Sequence, residues 1–148
     1  MTTSPDIWRN TSLRYLGYAN EVGEALRPVY PKVLNPSYAI AFAYIGCDTL
    51  DKSYRCQQSG KSAQEVLTVG FDTFLWQFLA SVLIPGKVIH AITHSAKLGV
   101  DQSKKLPQFG KKWLPTVIGL AFIPIIIHPI DAGVDAFMDT VRKWLKTA

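Results

Sequence analysis

Between Asp6 and Leu26 the apolar positions Ile7, Leu13, Leu16, Ala19, Val22 and Leu26 recur at three- and four-residue steps among charged neighbours. That spacing predicts an amphipathic helix over 6–27, ended by Pro28, Pro31 and Pro36. Residues 33–50 form the first apolar segment, uncharged until Asp48, with the small residues Ala39, Ala43 and Cys47 stacked at i, i+4 and i+8. Such a stripe suits close helix packing in lipid. The polar stretch 51–65 contains Gly60 and reads as a helix end and a turn. A second apolar segment covers 66–92, and Pro85-Gly86-Lys87 predicts a kink or a stop inside it. Residues 97–112 read as a lysine-rich loop. The third apolar segment, 113–130, is interrupted by Pro115, Pro124 and Pro129 but carries no formal charge. A closing amphipathic helix over 132–146 gathers Val134, Phe137, Met138, Val141, Trp144 and Leu145 on one face, with Arg142, Lys143 and Lys146 in its last turns.

No period-two runs joined by hairpin turns occur and no repeat is evident, so the fold class is all-α. The expectation is a small multi-pass membrane bundle with Pro-broken spans and amphipathic terminal helices, one membrane domain over 1–148. Composition points the same way. Of 148 residues, 48% are hydrophobic and only 18% charged, with a mean hydropathy of +0.11. A soluble domain carries about 25% charge, and disordered chains are less apolar. With three spans, the N-terminus and the 87–112 loop would share one side and the C-terminal helix would lie opposite. Basic residues divide ten to six between those sides. Residues 1–27 balance acid with base and lack an apolar export core, so any address is expected to be internal.

Candidate chemistry is confined to charged residues in or beside the apolar segments: Asp48, Asp72, His128, Asp131 and Asp135, with Asp51 at an edge. Ionisable groups inside spans are costly and point to function. Each also has a structural reading. Asp48 and Asp51 can pair with Lys52 and Arg55 one turn on, whereas Asp72 and Asp131 each stand where an N-cap is expected. His128 reads as a hydrogen-bonded structural histidine or a proton relay. His90 and His94 share a helix face, but no third ligand lies in local reach, so no metal is expected. Cys47 and Cys56, nine apart, lack zinc or redox spacing and read as reduced. No nucleophile, phosphate-loop or dinucleotide motif appears, which predicts no catalytic residues and no cofactor. The scattered basic residues lack the aromatic interleaving of a nucleic-acid face and suit anionic lipid headgroups instead.

Three blocks carry a resemblance: RYLGYANEVGEA from Arg14 to Ala25, DTFLWQFLASVLIPG from Asp72 to Gly86, and IPIIIHPID from Ile123 to Asp131. In this order and spacing they resemble the mitochondrial fission process protein 1 family, small mitochondrial proteins of 18 kDa type. The likeness runs from Arg14 to Trp144 and is weakest over 96–112. It implies a non-enzymatic, multi-pass protein of the mitochondrial inner membrane that promotes fission and maintains mitochondrial morphology. Inner-membrane lipids, membrane-protein partners and further copies of the chain are its expected partners. The residues alone leave a rival open, a small proton or solute conductor built on Asp48, Asp72, His128 and Asp131.

Overall fold

The computed structural model describes residues 5–147, with side chains as far as Trp144; Leu145 and Lys146 of the predicted C-terminal helix lie outside the described side chains. Every regular element among these residues is helical. The Asp6 carboxylate accepts the main-chain N–H groups of Trp8 and Arg9 and so starts α1, Ile7–Asn10. A 3-10 segment, Ser12–Tyr18, leads into α2, Ala19–Leu26. The Pro-rich turn then reverses the chain into α3, Leu34–Gln58. Gly60 takes the next turn at φ 72°, a left-handed value that suits glycine. Ser62 and Glu65 follow with a reciprocal capping box that opens α4, Ala63–Gln77.

A wide π-helical turn, Phe78–Leu83, joins α4 to α5, Ile84–Gln102, so of the kink or stop predicted at Pro85-Gly86-Lys87 the stop does not occur. The ring of Pro85 displaces the carbonyl four residues back, that of Ser81. The wide turn gives that carbonyl room, and Asn20, with its amide nitrogen facing acceptors, donates to it at 2.9 Å. The result is one rod of 40 residues from Ala63 to Gln102, about 60 Å long. After a turn at 103–107 a second 40-residue rod, α6, Gln108–Thr147, runs back through Pro115, Pro124 and Pro129. The predicted loop 97–112 is thus mostly helix, and the segments 113–130 and 132–146 are one helix. Prolines signal a break to a sequence reader, but membrane helices tolerate them, and both rods run on through theirs, with Pro85 and Pro115 buried and Pro124 and Pro129 exposed.

The four units pack up-down-up-down, and α2 lies centrally against α3, α5 and α6. Lys52 reaches Asp6 at 2.8 Å and Arg142 pairs with Asp72, placing Asp6 and Arg142 toward the end of the bundle that holds the turn between α3 and α4. At the other end Tyr30 meets Trp113, near the 103–107 turn. Asp6 and the lysine-rich turn therefore lie at opposite ends of the bundle, whereas the three-span expectation put the N-terminus and the 87–112 loop together. The reason is that residues 6–26 act as a fourth unit of the bundle.

The helices are turned inside out. The predicted apolar positions Ile7, Leu13, Leu16 and Val22 are exposed, while Arg14, Asn20, Glu21 and Glu24 are buried. On α3 the small stripe Ala39, Ala43 and Cys47 faces outward, and Ser37, Ala41, Tyr44, Ile45 and Asp48 face inward. The most apolar stretch of α6 has mean hydropathy 1.9, yet only 11% of it is buried. The apolar core is split among three small clusters centred on Ile45, Trp76 and Ile89.

Close approach at glycines holds these helices together. A Cβ on Gly23 would stand 1.9 Å from Ser37 Oγ and 2.8 Å from its Cβ, whereas one on Gly46 would meet nothing. Gly23→Ala should therefore destabilise the detergent-solubilised protein by about 1–3 kcal/mol through overpacking. Gly46→Ala should stabilise it by up to about 1 kcal/mol through helix propensity. Denaturant titration followed by helicity separates the two, and equal effects would contradict the packing described.

Candidate functional site

A polar seam fills the space that an apolar core would occupy. Thr73, Gln77 and Ser81 follow at i, i+4 and i+8 on the inner face of the first rod, and Thr93 is a further buried hydroxyl twelve residues on. Twenty residues of helix cover about 30 Å, the thickness of a bilayer's hydrocarbon layer. Into this line the 3-10 segment drives Arg14, whose side chain is 7% exposed. Its guanidinium donates to Gln77 Oε1 at 3.1 Å, to Ser81 Oγ, and to Asp131 Oδ1 at 2.8 Å. The aromatic faces of Tyr18 and Trp76 lie 4.7 and 5.2 Å from the cation.

From Gln77 the seam continues toward the chain termini. The Gln77 amide donates to Asp48 and to Tyr44 Oη, and Lys52 bridges Asp48 and Asp6 at 2.9 and 2.8 Å. In the other direction lies Glu24, which accepts from Tyr38 Oη at 2.9 Å and pairs with Arg27 at 3.3 Å. His90 Nδ1 is 3.0 Å from the same carboxylate. Between the two branches Glu21 is fully buried and its Oε1 has no hydrogen-bond partner. Burial pushes the Glu21 carboxyl up to about 8, because desolvation disfavours the charged form. Beside Asp131 the seam opens into a cleft of about 830 Å³ lined by Arg9, Arg14, Tyr15, Tyr18, Ile127 and His128.

The sequence-level candidates separate accordingly. Asp48 and Asp131 both belong to the seam, joined through Gln77 and Arg14. Asp135 sits a turn beyond Asp131 and accepts from Trp76 Nε1 at 2.7 Å. His128 lines the mouth of the cleft. Asp72 lies apart, held by Arg142. Neither Asp72 nor Asp131 caps a helix, since the rods run continuously through both. Asp51 pairs with Arg55 at 3.0 Å and also accepts from Trp8 Nε1. Sequence reasoning missed Arg14, Asn20, Glu21, Glu24, Gln77 and Ser81. The one available signal was Thr73, Gln77 and Ser81 on a single face of an otherwise apolar segment.

The arrangement offers fixed charges, hydroxyls and a carboxyl able to hold a proton, Glu21. Among the described residues no three His, Cys, Asp or Glu side chains converge on a metal position. Both cysteines are free, Cys47 exposed and Cys56 half-buried.

Residues 7–67 and 56–138 match the mitochondrial 18 kDa protein family. The chain belongs to that family. It is 47% identical over 145 residues to mitochondrial fission process protein 1 of Caenorhabditis elegans, covering 93% of this chain and 87% of the relative. The protein of the same name from Homo sapiens is 43% identical, covering 96% and 89%. An uncharacterised protein of Acanthamoeba polyphaga mimivirus is 32% identical, covering 87% and 73%. No solved structure matches the chain. The family is a mitochondrial one, and this member has two helices long and apolar enough to cross a membrane.

Two consequences follow for stability in detergent. Arg14→Met strands Asp131, Gln77 and Ser81 without their donor, and breaking a buried pair in this way costs about 3–5 kcal/mol. Asp131→Asn keeps an acceptor for Arg14 and should cost less. Unfolding titrations of the two variants check that order. Glu21 gives a pH dependence. An unfolded glutamate loses its proton near 4.5 and the folded one near 8, so the folded state holds the extra proton between those values. Stability should fall as pH rises from 4.5 toward 8 and then level off. Glu21→Gln should remove that slope; a slope that persists in the variant would assign it to other groups.

Proposed function

We propose that this chain is an integral, multi-pass protein of the mitochondrial inner membrane that promotes mitochondrial fission and maintains mitochondrial morphology. It acts by organising the membrane or docking partner proteins, and it carries out no catalytic step. Relatives named mitochondrial fission process protein 1, alike along nearly their whole length, support the process. The observation that carries the membrane reading is the exposed apolar face of α6, where Val117, Leu120, Phe122 and Ile125 stand outside while charged groups are buried. Water would select the opposite arrangement, whereas hydrocarbon selects this one. On this reading both rods cross the bilayer and α2 and α3 pack against them.

A second reading is favoured by the seam itself. Its acids, amides and hydroxyls extend along about 30 Å of helix, with Glu21 able to hold a proton, so a small proton or solute conductor is the alternative. Asp72, which stands outside the seam, has no part in it. Proton flux into liposomes carrying wild-type protein, abolished by Glu21→Gln, would favour conduction; wild-type vesicles as tight as empty ones would remove it.

The primary reading is tested in cells and in isolated organelles. Depletion should elongate the mitochondrial network, and re-expressed wild-type protein should restore it where Arg14→Met does not. A network unchanged by depletion would refute the role in fission. Tags at the two termini, followed by protease protection in intact mitochondria, mitoplasts and lysed mitochondria, should lose protection together. Loss of one tag in mitoplasts with retention of the other would contradict the paired ends of the bundle.

A further inference from the structure

One side of the bundle does not fit the apolar exterior. Lys87, His90, His94, Lys97 and Asp101 follow at three- and four-residue steps on α5 and share one outward face. They stand alongside the apolar part of α6, because Thr93 of the same helix packs at Gly119. On the spanning reading, a polar stripe of this kind facing lipid tails would be costly.

The surface beside the stripe is shaped as well as charged. Glu24, Arg27, His90, Thr93, His94 and Lys97 enclose a hollow of about 310 Å³. A second hollow of about 540 Å³, lined by Lys97, Asp101, Phe109, Lys111 and Lys112, adjoins it, and both include Pro28 and Lys97. Together they form a groove running from the 103–107 turn toward the middle of the bundle. Its carboxylates are already committed, Glu24 to Tyr38, Arg27 and His90, and Asp101 to Lys97. Its cations are in excess. Lys111 reaches only the main-chain oxygen of Asp101, at 3.4 Å, and Lys112 has no partner among the described residues. Deeper in, the Thr93 hydroxyl is buried, 3% exposed, and has no hydrogen-bond partner. Exposed Phe109 and the ring of Pro28 supply apolar surface at the mouth.

We infer that this groove binds a phosphate-bearing anion, with Lys97, Lys111 and Lys112 at the mouth and Arg27 within. Two sources share that chemistry: the headgroup of an anionic phospholipid, whose chains would lie along the apolar rim, and a soluble phosphate compound. The charge argument stands without the spanning reading, whereas the lipid source rests on it.

The test uses the full chain in a non-ionic detergent with three probes: dihexanoyl phosphatidylglycerol, dihexanoyl phosphatidylcholine and inorganic pyrophosphate. Calorimetric titration should show binding of at least one anionic probe, weakened by added salt. The combined K97Q, K111Q and K112Q variant should bind at least about tenfold more weakly. Arg55→Gln with Lys61→Gln, at the opposite end, should leave affinity unchanged. Phosphatidylglycerol binding alone assigns a lipid headgroup, and pyrophosphate binding assigns the soluble source. If the triple variant loses helicity, Arg27→Gln serves in its place. The proposal is overturned if neither anionic probe binds wild type, if phosphatidylcholine binds as well as phosphatidylglycerol, or if both sets of variants weaken binding equally. Failure of the membrane reading would register separately, as release of the protein from membranes by alkaline carbonate.

Discussion

The Arg14 guanidinium stays charged wherever the protein operates, so a bundle that buries it must bring acceptors to one place. Those acceptors come from two rods: Gln77 and Ser81 on the first, Asp131 on the second. Gln77 hands the constraint on to Asp48 of α3, and Lys52 hands it to Asp6 at the start of the chain. Apolar helix faces can slide past one another by part of a turn with little penalty, but this series of directional bonds fixes the heights of all four units. On the spanning reading no hydrophobic force presses the helices together in hydrocarbon, and polar bonds and close backbone approach hold the register. Gly23 against Ser37 and Gly119 against Ala25 provide the second of these.

The inversion explains what could be read from the sequence and what could not. Spacing of apolar residues located each helical region, and the absence of strand patterns gave the all-α class. Periodicity shows that a helix has two faces; it does not say which face meets the protein. For residues 6–26 the outward face holds Leu13, Leu16 and Val22, and the inward face holds Arg14, Asn20 and Glu21. Arg14 and Glu21 looked like balanced surface charges because their surroundings come from far along the chain. Asp131 is 117 residues from Arg14, and Arg142 is 70 residues from Asp72. Both aspartates lie at the edges of apolar runs, where a cap is the local expectation. By contrast, the i, i+4 pairing of Asp48 with Lys52 lies within one helix and was legible.

Proline posed the same problem for the backbone. A local reading ends a helix at Pro85 because the ring removes a donor and crowds the carbonyl of Ser81. What keeps the rod intact is a donor on another helix, the Asn20 amide, together with the wide turn at Phe78–Leu83. Arg14 also binds Ser81, through its hydroxyl. One residue of the first rod therefore takes a main-chain contact and a side-chain contact from the N-terminal unit. The irregularity in the rod and the polarity of the N-terminal unit are two parts of one arrangement.

The lengths of the rods bear on how such a bundle acts on a membrane. Each spans about 60 Å, twice a hydrocarbon layer of about 30 Å. On the spanning reading the pair must tilt or project, because a rigid bundle cannot shorten. Its two ends then differ in kind. At the 103–107 turn lie unopposed lysines over an aromatic ring of Tyr30, Phe109 and Trp113, which suits an anionic headgroup layer. At the opposite end positive groups are matched by acids, as Lys52 is by Asp6 and Asp48 and Arg142 is by Asp72 and Asp139. On that reading, charge would draw an object of that shape to one leaflet while its apolar flank held it at fixed depth. The polar stripe of α5 breaks the symmetry around its axis, so lipid or protein on that side experiences a different surface from that on α6. Directional contact of this kind is what an organiser of membrane shape requires, and no catalytic group is needed to produce it.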